Sequence, residues 1–266
     1  MEKLLDEIES YWSTRTEGYS EVNHKELAGT QKNAWLKVLT SQFPDKPKEE
    51  IRILDIGTGP GFFPVILAEA GYHVDAVDYT EGMLEKAKEN AGDLCRNIRF
   101  LRMDAQKLDF EDNTFDVVIS RNLTWNLEHP DVAYREWVRV LKVGGRLLNF
   151  DANWYGYLYE EEQRKAYEND RKNVENNSLD DHYLCTDIER MERIALQVPL
   201  SKISRPQWDV KTLREAGLLG IRTDTEIWKT VWSEEERLNY QSTPMFMVTG
   251  VKPDHFLNLP VAAGEK

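Results

Sequence analysis

Residues 53–63 read "ILDIGTGPGFF": a short apolar run carrying one acid, Asp55, then Gly57, Gly59 and Gly61 within five positions. Glycine has no Cβ, so a ligand can approach such a backbone closely and the chain can adopt positive φ angles that other residues resist. An apolar strand ending at Asp55, then glycines, then a helix, places bare amides at a helix N-terminus beside the carboxyl edge of a sheet. That is where α/β proteins bind ligands. The same glycines would also serve a tight strand-to-helix turn without any ligand, so the rest of the chain has to decide.

From this stretch the pattern continues in both directions. Short apolar segments at 51–56, 73–78, 97–103, 115–121 and 145–151 alternate with helical stretches such as "GMLEKAKENAG" and "DVAYREWVRVLK". This alternation predicts an α/β fold with a mainly parallel sheet covered by helices on both faces. Upstream, Leu4, Leu5, Ile8, Tyr11 and Trp12 and then Asn33 to Phe43 recur at helical spacing, which predicts two helices before the core. Downstream, residues 152–204 lose the rhythm and are rich in Tyr, Asn and charge, as expected of a helical insertion. "WDVKTLREAGL" then reads as a helix closed by Gly217, and "IRTDTEIWKTV" and "PMFMVTGVK" as the last strands. We therefore expect a single domain over 1–266: a helical cover at 1–49, a cofactor-binding core at 50–151, the insertion at 152–204, the end of the sheet at 205–252 and a tail at 253–266.

Composition narrows the function. With 47 acidic against 34 basic residues the net charge of −13 repels a phosphate backbone, so nucleic acid is not an expected partner. No apolar run is long enough to span a bilayer, and "MEKLLDEIES" lacks the features of a secretory signal, which points to the cytoplasm and to no membrane partner. Cys95 and Cys185 are too few for a disulfide framework or a zinc site, and His24, His73, His182 and His255 have no metal-ligand spacing, so no metal is expected. Cys185 reads as a packed thiol and His129 as a solvated loop residue.

Two ligand classes compete for the glycine loop. A dinucleotide would want G-x-G-x-x-G and an acid about 20 residues later. Asp78 partly fits that, but the spacing here is G-x-G-x-G, position 62 is Phe, and Asp55 would repel a pyrophosphate. Asp55 instead suits a cationic ligand, and "LDIGTGPG" resembles motif I of class I S-adenosylmethionine-dependent methyltransferases, in particular the small-molecule subgroup called methyltransferase type 11. "VDAVDYTEGML", "LRMDAQKL", "FDVVISRNLTW" and "EWVRVLKVGGRLL" are similar to that family's later landmarks in register, from about residue 50 to 152.

The resemblance implies a seven-stranded Rossmann-like sheet with an antiparallel last strand, and S-adenosylmethionine as cofactor, with S-adenosylhomocysteine as product. Gly57, Thr58, Gly59 and Gly61 would let the backbone approach the cofactor. Asp55 would hold the loop or meet the ammonium through water, Asp78 would accept the ribose hydroxyls, and Asp104 with the Ala105 amide would receive the adenine. Tyr79 and Met83 would pack on adenine and ribose, Asn122 would line the transfer channel, and Tyr19 would close over the methionine portion. The competing readings are plainer: Asp78 as a turn former, Asp104 as a helix cap, Met83 as core, and Tyr11 and Tyr19 as helix packing.

For the acceptor, Tyr11, Trp125, Asn126, Asp151, Trp154 and Tyr155 are the candidates, with Asn153 and Tyr157 in the same stretch after the fifth strand. Aromatic walls suit a flat or apolar acceptor or a cationic nitrogen; alternatively they only anchor the insertion. Because methyl transfer needs mainly alignment and desolvation, no catalytic residue is singled out. The resulting expectation is transfer of a methyl group to N, O or S of a small molecule by a monomer or homodimer, with residues 152–204 as a lid. The alternatives are an NAD(P)-dependent oxidoreductase and a non-catalytic cofactor-binding regulatory subunit.

Overall fold

The structure is a computed structural model that describes residues 4–183 and 186–254. Two helices, α1 (Leu4–Ala28) and α2 (Gln31–Ser41), precede the first strand, β1 (Arg52–Ile56). Then α3 (Phe62–Glu69), β2 (His73–Asp78), α4 (Glu81–Ala91), β3 (Ile98–Arg102) and β4 (Phe115–Arg121) follow in alternation, and α5 (Pro130–Val140) leads into β5 (Leu141–Asp151). The insertion contributes α6 (Glu161–Asn176) and α7 (Ile188–Ala195). The chain closes with α8 (Gln207–Glu215), β6 (Leu219–Asp224), the short α9 (Trp228–Val231) and α10 (Glu234–Asn239), and β7 (Phe246–Val251).

The seven strands form one sheet in the order β3-β2-β1-β4-β5-β7-β6. All pairs are parallel except those of β7, which runs antiparallel to both β5 and β6. The expected fold class is thus borne out, including the antiparallel last strand. One expectation needs correction: "IRTDTEIWKTV" is a strand only to Asp224. There the Asp224 carboxylate accepts the Glu226 amide in a tight turn, and Trp228–Val231 is helical. The strand pattern misled because Ile227, Trp228 and Val231 suit a strand as well as a buried helical turn.

Both faces of the sheet are buried, which is why its strands read as continuous apolar runs rather than alternating ones. Six of the seven residues of β4, from Phe115 to Ser120, are buried. One face packs against Trp35 of α2 and Phe62 and Phe63 of α3, and the other against Tyr134 and Trp137 of α5 and Leu213 of α8. The strand order reverses direction between β1 and β4. In open α/β sheets the crevice outside the carboxyl ends at such a point is the ligand position. The Asp151↔Phe246 pairing brings the segment entering β7 to that same end, where the insertion also leaves β5.

Candidate functional site

The glycine loop sits at the reversal. Gly57 and Thr58 donate their amides to the Val77 carbonyl, at 2.8 and 3.0 Å, which ties the loop to β2. Gly57 has φ +69°, and a Cβ there would stand 2.7 Å from Leu123, so no other residue fits without a shift. At Gly59, with φ +52°, a Cβ would lie 3.8 Å from the Tyr19 ring, so bare backbone faces the cover helix α1.

Asp78 ends β2 and is used from two sides. Its Oδ2 accepts the Gly59 amide and its Oδ1 the Thr80 amide, both at 2.9 Å. Burial raises its pKa, against the pull of those amides. Each oxygen keeps a lone pair for a further donor. Asp55 is buried within β1, and desolvation lifts its carboxyl to about 7 against the opposing influence of Thr58 and Arg121. Asp104 accepts the Gln106 amide at 2.8 Å in a tight turn rather than capping a helix. Ala105 is buried and its carbonyl accepts the Trp137 indole N–H at 2.9 Å. The Tyr79 ring stacks with the Arg102 guanidinium at 5.2 Å, and Met83 is buried on α4.

Helix α1 lies over this loop with a polar inner stripe: Thr16, Ser20, Asn23 and Glu26 are all buried. A stripe of polar residues against protein is unusual, since buried polar groups need partners. Glu26 has one in Arg121, at the end of β4, through two contacts at 2.7 and 3.0 Å, and that guanidinium also stands over the Phe62 and Phe63 rings. Ser20 Oγ accepts the Asn90 amide. Both polar atoms of the Asn23 side chain, however, are buried without a partner among the described residues, as is Asn122 Oδ1. Asn122 adopts φ +56°, and its side chain hydrogen-bonds Tyr19, whose pKa is raised first of all by burial.

Of the residues expected around an acceptor, the structure gathers Tyr11, Trp125 and Tyr155 into one buried cluster with Tyr157, Tyr183 and Met191 of the segment between β5 and β6. The Trp125 and Tyr155 rings are 5.0 Å apart. Trp154 packs on Tyr240 at 5.2 Å, and Asn126 is buried beside Trp125. Asp151 ends β5 as expected, but its carboxylate is spent inside the protein. Oδ1 accepts the Ala152 amide and the Trp154 indole N–H, and Oδ2 the Trp125 amide and the Arg205 guanidinium. Asp151 therefore fixes Trp125 and Trp154 rather than offering its own oxygens. Asn153 likewise bonds Arg205, through both backbone atoms of that residue. His129 donates its backbone amide to Gln106 ahead of α5. Cys185 and residues 255–266 lie outside the described residues, and no metal-binding group of His, Cys, Asp and Glu occurs among the described ones.

Several residues here were not singled out from sequence. Arg121 had a signal, a cation closing a strand of buried apolar residues; Glu26 and Tyr240 had none, because their partners lie far away in the chain, and Arg205 had only Asp209 four residues on, since Asp151 lies 54 positions back.

Residues 54–149 match the family described as "Methyltransferase domain", which bears out the resemblance drawn from the five motifs. A demethylmenaquinone methyltransferase of Clavibacter sepedonicus is 41% identical over 98 residues, 36% of this chain and 39% of that protein. One of Renibacterium salmoninarum is 31% identical over 148 residues, 56% of this chain and 60% of that protein. This chain thus aligns with less than two thirds of either relative. Among solved structures, Haemonchus contortus phosphoethanolamine N-methyltransferase 2 in complex with S-adenosyl-L-methionine superposes with a TM-score of 0.59 at 19% identity, over 83% of this chain and 52% of that one. At that identity the likeness concerns the fold.

Proposed function

We propose that this chain, whose residues 54–149 fall within the methyltransferase domain family, transfers a methyl group from S-adenosylmethionine to a small-molecule acceptor. The observation that carries the reading is the joint between Asp78 and Gly59: a carboxylate at the end of β2 that holds the glycine loop and keeps acceptor capacity on both oxygens. Ribose hydroxyls are the donors that would use it. The orphaned Asn122 oxygen and the buried Asp55 suit the cofactor's ammonium, a donor and a cation. The aromatic cluster of Tyr11, Trp125 and Tyr155 favours an acceptor with a flat or apolar body. A further matched relative, from Ectopseudomonas mendocina, is named as a ubiquinone/menaquinone biosynthesis C-methyltransferase, so carbon joins N, O and S as a candidate receiving atom.

When bound, S-adenosylmethionine supplies an electrophilic methyl group and a neutral thioether leaving group. The protein's part is alignment and exclusion of water, which can lower the barrier by about 7 to 11 kcal/mol. Calorimetry with S-adenosylmethionine, S-adenosylhomocysteine and NADH tests this. Binding of both sulfur ligands but not NADH is expected, followed by cofactor consumption on adding the right acceptor from a panel. NADH binding alone would overturn the reading in favour of an oxidoreductase. Binding without turnover on any acceptor would favour the regulatory subunit.

Asp55 makes this binding pH-dependent. With a folded pKa near 7, raised from 3.8, the carboxyl is largely protonated below neutrality and charged above it. If the cofactor's ammonium faces the charged form, affinity rises through pH 7 and binding releases a proton. The stability of the free protein runs the other way: the contribution of Asp55 is fully present below pH 3.8 and is lost as the pH climbs through about 7. Asp55→Asn should flatten both profiles. An unchanged binding profile in the variant would remove Asp55 from cofactor recognition.

A further inference from the structure

Away from the glycine loop, one set of side chains links the buried acceptor side to solvent. The Tyr240 hydroxyl is 2.9 Å from His182 Nδ1, and His182 Nε2 is 2.8 Å from Glu235 Oε1. Exposure increases outward: the Tyr240 ring packs among Trp154, Tyr183 and Trp232, the His182 side chain is 20% exposed and Glu235 38%. The inner end reaches the site already described. Tyr240 interacts electrostatically with Tyr19 and Tyr155, and Tyr19 is the residue beside Gly59. Topology agrees, since the segment entering β7 lies at the carboxyl end of β5.

We propose that Tyr240, His182 and Glu235 form a proton relay for methyl transfer, and that the acceptor is therefore a nucleophile bearing an N–H, O–H or similarly acidic proton rather than a tertiary amine or a thioether. This rests on the methyltransferase reading above. Tyr240 is a poor base by itself, because burial raises its pKa well above the usual phenol value. Coupled to a histidine it need not hold charge. The acceptor's proton moves to Tyr240 Oη as that hydroxyl's own proton moves to His182 Nδ1. The imidazolium formed is stabilised by the Glu235 carboxylate at Nε2 and passes its Nε2 proton past that carboxylate to water, after which exchange with water returns the ring to its Nε2-protonated form before the next turnover. For this the neutral ring must carry its proton on Nε2, with Nδ1 accepting from Tyr240, which is the arrangement Glu235 favours. The other charges near the pair are Asp181 next to His182, Arg171 of α6, which bonds Asp181, and, toward Tyr240, Glu236 of α10, directed to Ser233 and Gln31.

The experiment combines nitrogen NMR of His182, cofactor calorimetry and a methyl-transfer assay on a fixed panel: primary amines, phenols, quinols and thiols against tertiary amines and thioethers. Near neutral pH the relay requires a neutral ring protonated at Nε2. Tyr240→Phe and His182→Gln should retain S-adenosylmethionine binding yet lose about 100-fold or more in kcat on a protonated acceptor, with partial recovery at high pH where hydroxide replaces the base. A purely structural tie would leave the pH profile unchanged. Glu235→Gln, at an exposed position, should raise the population of the other tautomer if the first two variants fail to fold. The relay is overturned by an Nδ1-protonated ring or a fixed imidazolium, even if no panel compound reacts. It is equally overturned by turnover confined to tertiary amines and thioethers, or by unchanged kcat in the variants. Absence of cofactor binding in the wild type would instead overturn the methyltransferase reading, and the relay with it.

Discussion

Asp78→Ala should abolish measurable S-adenosylmethionine binding while the protein remains folded. The carboxylate would lose two hydroxyl donors from the ligand, each worth about 1.5 to 3 kcal/mol when the acceptor is charged, so the affinity falls by at least about a hundredfold. The loss has a second source. In the free protein Oδ2 already holds the Gly59 amide and Oδ1 the Thr80 amide, so removing the side chain also loosens the loop that must approach the ligand. Asp78→Asn separates the two, because its single amide oxygen can still accept from the loop but offers less to the ribose. The expected order of affinity by calorimetry is wild type, then Asn, then Ala, with similar melting temperatures for Asn and wild type. Binding that survives in Asp78→Ala would show that this carboxylate is a turn former and would remove the main support for the cofactor reading.

The sheet and the glycine loop were legible in the sequence for one reason. Parallel strands buried on both faces are apolar from end to end, as from Phe115 to Ser120, and a positive φ beside a packed Leu123 admits only glycine at position 57. Local chemistry of that kind leaves a mark within a few residues. Asp78 was legible through its place at a strand end. What could not be read were pairings across long stretches of chain. Glu26 meets Arg121 across 95 positions, and His182 meets Glu235 across 53. Nothing local distinguishes Glu26 from the exposed acids of the same helix. Asp151 shows the opposite failure: its position at the carboxyl end of β5 was read correctly, but four internal donors claim its oxygens.

Those donors lead to the second large effect, at Arg205. Its guanidinium joins Asp151 at 2.7 Å and Asp209 at 2.6 and 2.9 Å, with the charged ends of all three fully buried. Tyr134 donates its hydroxyl to Asp209 and accepts from Asn149, which in turn accepts from Thr124, so β5, α5, α8 and the segment after β4 share one polar network. Two carboxylates around one cation are tolerable only while the cation is there. Arg205→Ala leaves both uncompensated, at a cost of about 3 to 5 kcal/mol, and should lower the melting temperature by on the order of 10 °C. Arg205→Lys should fall in between, since one ammonium cannot span both acids as a planar fork does. The pH dependence identifies the cause. Burial already raises the Asp151 pKa, and without Arg205 its strongest opposition is gone, leaving only neutral N–H donors such as the Ala152 amide, so the alanine variant should regain stability as the pH is lowered and Asp151 takes up a proton. A cavity alone would give a pH-independent loss. Because Asp151 also holds the Trp125 amide and the Trp154 indole, the same variant should shift tryptophan emission and weaken acceptor turnover while leaving cofactor affinity nearly intact. Equal loss of cofactor and acceptor binding would mean that the network supports the whole crevice rather than its acceptor wall.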